Sequence, residues 1–331
     1  MKILFVFTGG TIGSTLGEGN IISPDAAKSY KIIEAYGAKY PVDFEYDTLE
    51  PYTELSENNT GANLKRLAAC VAQKLDGGYD GIVITHGTDT LQYTAAALGY
   101  AIGNDSVPIC IVSATRPIEH AQSNALDNLH AAVSFIRQGA GRGVFVPYRN
   151  DNSDTVMLHR ATRLLAGKAF SDEVSSIFDS VYGHFDADFK FIKNENYSEK
   201  ADEIAPLDLS SLKDFSEKIL LLPAYTGMNY TGISKKVKYI LLNTYHSGTV
   251  NTKSERAKKF FLKAKKKGVR VYATGVTGGP DYASAAEYDA LGIVGLKNVS
   301  PVAAYIKLWI LSEIGADTDS AMTASLAGDI V

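Results

Sequence analysis

The chain has 331 residues, of which 33 are basic and 37 acidic, so its formal net charge is −4. With 45% hydrophobic and 21% charged residues, it has the composition of a globular protein with material for two cores, which excludes a disordered chain. The near-neutral charge argues against a dedicated nucleic-acid binder, and two cysteines exclude both a disulfide framework and a structural zinc site.

Short apolar runs that end in glycine or polar turns predict buried strands. In the first half these runs cover residues 3–7, 81–85, 108–112 and 143–147, and in the second half residues 219–222, 239–242, 269–273 and 292–294. Helical periodicity is found over residues 61–76, 118–138 and 301–314. This alternation predicts an α/β protein with a mainly parallel sheet covered on both faces.

The stretch from about 185 to 217 interrupts the alternation. Residues 185–190 alternate like a hairpin strand, and the following segment is polar until the alternation restarts at Ile219. We therefore predict two domains: a larger N-terminal α/β domain over 1–190, a linker over 191–217 and a smaller C-terminal α/β domain over 218–331.

Two further features bear on surface and location. The lysine-rich run at 258–267 is typical of the solvated side of a helix. The chain contains no run of about 18 apolar residues, and its first apolar run is too short for a secretory signal. We expect no membrane association and a cytoplasmic location.

The turns that follow the strands are the places to look for chemistry, because ligands of open α/β sheets bind outside the carboxyl ends of the strands. The first turn reads Thr8-Gly9-Gly10-Thr11-Ile12-Gly13, and its glycines leave amide N–H groups bare for an anion or oxyanion. The turn does not match the dinucleotide fingerprint, and the chain has no phosphate-binding Gly-Lys-Ser/Thr loop. Taken alone, the turn favours a plain strand turn over a binding role.

The second turn reads His86-Gly87-Thr88-Asp89-Thr90 and follows the predicted strand at 81–85. Thr88 or Asp89 as the cap of a helix beginning near Leu91 is the alternative to a catalytic role. A structural, hydrogen-bonded role is favoured for His86. Two threonine turns at neighbouring strand ends suggest a hydroxyl nucleophile, which needs a base such as a neutral lysine oriented by a carboxylate.

Together the two turns resemble the two signatures of the bacterial L-asparaginase family (the asparaginase/glutaminase group), which occur in this order. The segments at 55–58, 113–117 and 277–279 agree with the same family, and the resemblance covers nearly the whole chain, most strongly over 3–150. It implies a flavodoxin-like C-terminal domain and hydrolysis of L-asparagine to L-aspartate and ammonia through a threonine acyl-enzyme, with possible side activity on L-glutamine. It implies no metal and no organic cofactor.

The resemblance also implies roles for individual residues. Thr11 matches the nucleophile, while Thr88, Asp89 and Lys168 match the partner triad that activates a nucleophile or the hydrolytic water. The alignment at Lys168 requires a one-residue insertion. Backbone N–H groups of Thr11 and Thr88 are expected to form the oxyanion hole.

Substrate contacts are implied in the same way. Ser56 is expected to hold the α-carboxylate, Glu57 and Asp89 the α-ammonium group, and the Ala114 carbonyl the amide. Gly10 belongs to the same expected substrate-binding set.

The chain departs from the family pattern in two regions. Asn20 or Ile21 occupies the position of the lid tyrosine, with Tyr30 as one replacement. Thr249 replaces an asparagine that reaches a neighbouring subunit's site, and the acidic residue contributed across the interface has no clear match, with Glu287 and Tyr288 nearby.

Three functions therefore stay open. The leading one is an asparaginase acting on the small molecule L-asparagine as a homodimer or homotetramer. The second is a glutaminase-type or tRNA-amidotransferase-related amidase; we expect it less, because such subunits carry an extra N-terminal domain whereas this chain starts at its first strand. The third is a catalytically weak amino-acid sensor, favoured by the missing lid tyrosine.

Overall fold

The computed structural model describes residues 1–10, 14–16, 22–24, 31–104, 107–230, 232–277 and 282–331. Within these ranges the chain forms an eight-stranded sheet, a four-stranded sheet and a two-stranded hairpin. The large, mainly parallel sheet and the second parallel sheet confirm the predicted fold class.

Ten strands lie among the described residues of the first part of the chain. They are β1 (Lys2–Phe7), β2 (Ser14–Leu16), β3 (Ile22–Pro24), β4 (Glu45–Leu49), β5 (Gly81–Thr85), β6 (Pro108–Val112), β7 (Gly143–Tyr148), β8 (Met157–Arg160), β9 (Gly183–Phe185) and β10 (Phe191–Lys193). The large sheet has the order β10-β9-β8-β7-β6-β5-β1-β4, and β2 and β3 form the hairpin. Its strands from β7 to β4 are parallel, whereas β8, β9 and β10 are added antiparallel at one edge.

The continuous apolar strands are buried on both faces, as their sequences predict. In β1, Leu4 and Val6 point into one core, while Ile3, Phe5 and Phe7 point into the core on the opposite face. This follows from the two-residue period of a strand. The carboxyl ends of β1 and β5 lie side by side, because Phe7 pairs with Thr85.

Helices cover both faces and follow the predicted order. They are α1 (Lys31–Lys39), α2 (Gly61–Ala72), α3 (Leu91–Ile102), α4 (Ala125–Gln138), α5 (Glu255–Lys266), α6 (Tyr288–Leu291), α7 (Pro301–Ile314) and α8 (Thr318–Ala321). The expected start of α4 at residue 118 is wrong. Residues 117–123 form successive turns in which His120 N–H donates to the Pro117 carbonyl and Ser123 N–H to the His120 carbonyl.

The second sheet contains β11 (Ile219–Pro223), β12 (Tyr239–Asn243), β13 (Arg270–Val276) and β14 (Ile293–Lys297), all parallel. Helix α5 buries Ala257, Phe260, Phe261 and Ala264 against this sheet. Its lysines lie on the opposite side, which confirms the interpretation of the lysine run as a solvated helix face.

The region between the two sheets is extended and packs on the first. Strand β10 belongs to the large sheet, and the described backbone from residue 194 to 218 contains no helix or strand. Leu207 N–H donates to the Tyr100 carbonyl of α3, and Glu203 N–H to the Ser325 carbonyl near the C-terminus. Residues 185–190, expected as a strand, contain mainly the turn of the β9–β10 hairpin.

Helix α7 packs against α3, so the second half of the chain contributes to the core of the first. At this contact the ammonium group of Lys307 lies 2.8 Å from Asp329 Oδ2, with both side chains almost completely buried. Tyr100 donates to the same carboxylate at 2.9 Å. None of the helices in the described ranges is both long and apolar enough to span a bilayer.

Candidate functional site

Two glycine turns meet at the carboxyl ends of β1 and β5. Gly10 has a φ of +80°, and a Cβ atom built on it would lie 2.2 Å from the backbone nitrogen of Gly87. The Thr8 hydroxyl donates to the Thr85 carbonyl at 2.6 Å, which ties the two strand ends together. The turns that carry the two sequence signatures are therefore packed backbone against backbone, and residue 10 has to be glycine.

A third segment, at residues 54–58, completes the junction. Gly10 N–H donates to the Glu54 carbonyl, and Glu54 N–H donates to the Thr8 carbonyl, each at 3.1 Å. Ser56 is buried at the start of a short 3₁₀ helix (Ser56–Asn58), and a Cβ on Gly87 would come 2.5 Å from its Oγ atom. The chain thus brings Gly10, Gly87 and Ser56 into one cluster.

Two acidic side chains, Glu57 and Asp89, lie next to this cluster. Partial burial raises the pKa of Asp89, and the nearby carboxylates of Glu57 and Asp172 raise it further, with a hydrogen bond from Glu57 in the same direction. The neighbouring carboxylates that raise the pKa of Asp89 form a local excess of negative charge. A cationic group placed between them would relieve this repulsion.

A cavity of about 340 Å³ opens beside the second turn. Thr88, Asp89 and Lys168 line it, as does Asp172. The Lys168 side chain is 66% exposed, and its ammonium group lies 3.6 Å from Glu173 Oε2. Lys168 therefore shares the cavity with Thr88 and Asp89, while it forms its ion pair with Glu173.

Ala114 lies just beyond the end of β6, the strand next to β5, and is completely buried. Two asparagines at the beginning of α4 hold its segment. Asn124 Oδ1 accepts from Thr115 N–H at 3.0 Å, and Asn128 Nδ2 donates to the Ser113 carbonyl at 2.9 Å. These asparagines support the site and were missed in the sequence, where nothing distinguishes them from other polar residues of an amphipathic helix.

His86 has the structural role that the sequence favoured. Its Nδ1 atom donates to the Gly87 carbonyl at 2.7 Å, and its Nε2 atom contacts the hydroxyl of Thr94 at 2.9 Å and Asn59 Nδ2 at 3.1 Å. Complete burial lowers the pKa of His86 to about 4, so the ring is neutral near pH 7.

Neither Thr88 nor Asp89 caps helix α3, so the capping role considered for them from the sequence is wrong. The N-cap of α3 is Thr90. The Thr90 hydroxyl donates to the Ser56 carbonyl at 2.7 Å, and its oxygen accepts no capping hydrogen bond from the first N–H groups of α3. Thr88 and Asp89 therefore need another explanation than helix capping.

Several residues expected at the site or its lid have no described position. Thr11, Asn20, Ile21 and Tyr30 lie outside the described residues.

In the second half of the chain, Tyr288 is buried and donates to the Gly248 carbonyl at 2.8 Å. The hydroxyls of Thr249 and Ser247 are 3.0 Å apart, and Glu287 is exposed. Among the residues with described positions, no group of three His, Cys, Asp or Glu side chains is arranged to hold a metal.

A family model matches more than half of the chain. Residues 2–183 match the family model described as "Asparaginase, N-terminal". The match covers both glycine turns and the segment at 54–58, so the family model includes the junction described above.

Similar curated proteins are named as a subunit of glutamyl-tRNA(Gln) amidotransferase. The protein from Methanococcus maripaludis is 28% identical over 83% of this chain and 68% of its own length. The protein from Pyrobaculum aerophilum is 33% identical over 49% of this chain and 39% of its own length. The protein from Pyrococcus furiosus is 28% identical over 99% of this chain and 76% of its own length.

Solved structures share the fold over the whole chain. The thermostable L-asparaginase from Thermococcus kodakarensis has a TM-score of 0.81 at 22% identity, covering 100% of this chain and 99% of that one. L-asparaginase I from Vibrio cholerae has a TM-score of 0.77 at 21% identity, covering 100% and 99%.

Proposed function

This chain belongs to the asparaginase family, and from that premise we propose that it hydrolyses L-asparagine to L-aspartate and ammonia. One observation carries the proposal. The Gly10 turn packs on Gly87, so the described end of the first signature, which directly precedes Thr11 in the sequence, lies against the turn that carries Thr88 and Asp89. A nucleophile at residue 11 would enter the site beside the Thr88 hydroxyl and the Asp89 carboxyl group.

The proposed reaction has two steps. The Thr11 oxygen attacks the side-chain amide carbon, its proton passes to the departing nitrogen, and the C–N bond breaks to release ammonia. Water then attacks the resulting ester, which yields aspartate and restores the hydroxyl. Thr88, Asp89 and Lys168 serve as the relay that accepts and returns the proton, and backbone N–H groups of Thr11 and Thr88 stabilise the oxyanion.

We base substrate recognition on the charges beside the second turn. Glu57 and Asp89 bind the α-ammonium group, since a cation relieves the repulsion that raises the pKa of Asp89. Ser56 binds the α-carboxylate, and the Ala114 carbonyl accepts from the substrate amide. Gly10 contributes its backbone to the same pocket.

A second candidate is the role of the amide-hydrolysing subunit of an amidotransferase. The names of the curated relatives favour it, because each is named as part of glutamyl-tRNA(Gln) amidotransferase. Ammonia release by the purified chain from L-asparagine and from L-glutamine separates the two. Dominant release from asparagine supports the asparaginase, whereas release confined to glutamine supports the second candidate.

The nucleophile is tested by Thr11→Val and Thr88→Val, with Thr323→Val, just beyond the remote helix α8, as a matched control. Each of the first two variants should lose at least about a thousandfold in kcat. The Thr11 variant should still bind aspartate in calorimetry, because no hydroxyl attack is needed for binding. If Thr11→Val retained most of its activity, the assignment of the nucleophile would be wrong.

We further propose that the chain has the two-domain division described above, with the second domain beginning at about residue 218. We propose that it works as a homodimer or homotetramer in the cytoplasm. Light scattering of the purified protein tests the oligomer.

A further inference from the structure

A short loop beside the candidate active site carries an exposed aromatic ring. Residues 166–170, which we call the lysine loop, are all exposed. The loop borders the cavity that Thr88 and Asp89 line, because every residue of it except Phe170 is among the lining residues. Ser171, which follows directly, lines the cavity as well, so Phe170 stands at its rim.

Both ends of the lysine loop are held by hydrogen bonds to neighbouring segments. On the N-terminal side, Leu165 N–H donates to the Ser175 carbonyl at 2.9 Å. On the C-terminal side, the hydroxyl of Tyr148, a buried residue at the end of β7, donates to the Asp172 carbonyl at 3.0 Å. The loop is therefore a short excursion between two fixed points.

Between these points the lysine loop makes few polar contacts. Its hydrogen bonds and ion pairs with described residues are limited to two: the Lys168 carbonyl accepts from Ser171 N–H at 3.2 Å, and the Lys168 ammonium group lies 3.6 Å from Glu173 Oε2. The two side chains of this ion pair are 66% and 36% exposed, and ion pairs of exposed side chains stabilise a protein little. A Cβ atom built on Gly167 meets nothing within 4 Å, so the space beside it is open. Little energy therefore opposes a movement of the loop.

The conformation of Phe170 is unfavourable in two ways. Its large apolar side chain is completely exposed to water. Its φ is +61°, a left-handed conformation that is rare and costly for a bulky residue. Both costs fall if φ becomes negative and the ring packs on the apolar wall of the cavity, which includes Leu91 and Tyr93.

We propose that the lysine loop closes over the cavity when a ligand occupies it, with the Phe170 ring as the group that packs on the cavity wall. Closure carries Lys168 from its ion pair with Glu173 toward Thr88 and Asp89 and removes it from water. Burial favours the neutral form of an amine, which a proton relay needs. The inference rests on the proposed function, because it supplies the arrangement in which Lys168 acts.

Proteolysis measures the loop directly, because a protease cleaves only backbone that can leave the fold. Chymotrypsin cleaves after Phe170 and trypsin after Lys168, and the masses of the fragments identify each cut. Lys213 and Phe215 are internal controls with side chains that are 67% and 69% exposed, but the Asp214 carbonyl between them accepts a hydrogen bond from the start of α2. Without ligand, we expect cleavage in the lysine loop to be at least about tenfold faster than at the controls.

Closure is tested with L-aspartate, the product of the proposed reaction, at a concentration that calorimetry shows to be saturating. Aspartate should slow the cuts after Lys168 and Phe170 at least about fivefold and leave those after Lys213 and Phe215 unchanged. The proposal is overturned if aspartate binds without slowing the cuts in the loop, or if the loop is cleaved no faster than the controls without ligand. An absence of aspartate binding is a different result, which overturns the proposed function and the closure with it.

Variants of the exposed ring test its part in closure without disturbing the core. In Phe170→Ser, aspartate should protect Lys168 less than about twofold, and kcat/KM for asparagine should fall about tenfold. Phe170→Leu keeps an apolar side chain and should retain most of the protection and of the activity. Phe215→Ser is the control and should behave like the wild type. Equal protection of Lys168 in Phe170→Ser and in the wild type would refute the role of the ring.

Discussion

The close approach of the two glycine turns can be tested by adding a single methyl group. In Gly10→Ala, the new Cβ atom would lie 2.2 Å from Gly87 N and 2.6 Å from Gly87 Cα. Ordinary van der Waals contact begins near 3.4 Å. Both neighbours are backbone atoms, so no side-chain rotation can relieve the overlap.

The expected size of the effect follows from this geometry. The two turns must separate by about 1 Å, and a misplacement of that size at a reacting centre costs about a hundredfold in rate. The alanine also takes a φ of +80°, which costs about 1–2 kcal/mol in stability. We expect kcat/KM for ammonia release from asparagine to fall about a hundredfold.

Gly78→Ala is the matched control for the cost of placing an alanine at a positive φ. Gly78 has a φ of +73°, and a Cβ atom built on it meets nothing within 4 Å. Both variants should lose similar stability from backbone strain in thermal melts, but only Gly10→Ala should lose activity. If the two variants had the same kcat/KM, catalysis would not depend on the close packing of the Gly10 and Gly87 turns.

Three other predictions concern charge and protonation. Lys307→Met should lower the free energy of unfolding by about 3–5 kcal/mol, because it leaves the buried Asp329 carboxylate without its cation; denaturant melts should show most of this loss recovered in Lys307→Met/Asp329→Leu. Burial lowers the pKa of His159 to about 4 in the folded state, against about 6.5 in the unfolded chain. The unfolded state therefore binds more protons below pH ~6.5, and the free energy of unfolding falls as the pH is lowered. In melts at several pH values, His159→Gln should reduce this dependence of the free energy of unfolding on pH by up to about 1.4 kcal/mol per pH unit. Glu57→Gln removes a carboxylate that raises the pKa of Asp89, so the acidic limb of the kcat/KM profile should move to lower pH; an unmoved limb would mean that Asp89 does not govern it.

Local patterns in the sequence were sufficient to predict the buried strands and the residues of the turns that follow them. A buried strand is recognisable because each of its side chains is apolar, and the strands β1 and β5 follow from that property alone. The glycines and threonines after them are adjacent in the chain, so the turns are also readable locally. The structural role of His86 was predictable from the frequency with which buried histidines are hydrogen-bonded.

The helix boundaries show the limit of such patterns. Apolar periodicity extends α4 back to residue 118, but hydrogen bonds within residues 117–123 compete with the helix and form turns. Likewise, periodicity treats Lys307 as a polar residue of α7, although its charge is buried against Asp329. Its partner becomes visible only when the C-terminal segment folds back onto α7.

Tertiary structure alone decided which turns touch. Thr8 and Thr85 are 77 residues apart in the chain, and their contact exists because β1 and β5 pair in parallel in one register. The sequence by itself determined which chemical groups the strand ends carry, because that information is local. The distances between those groups arise only from long-range packing.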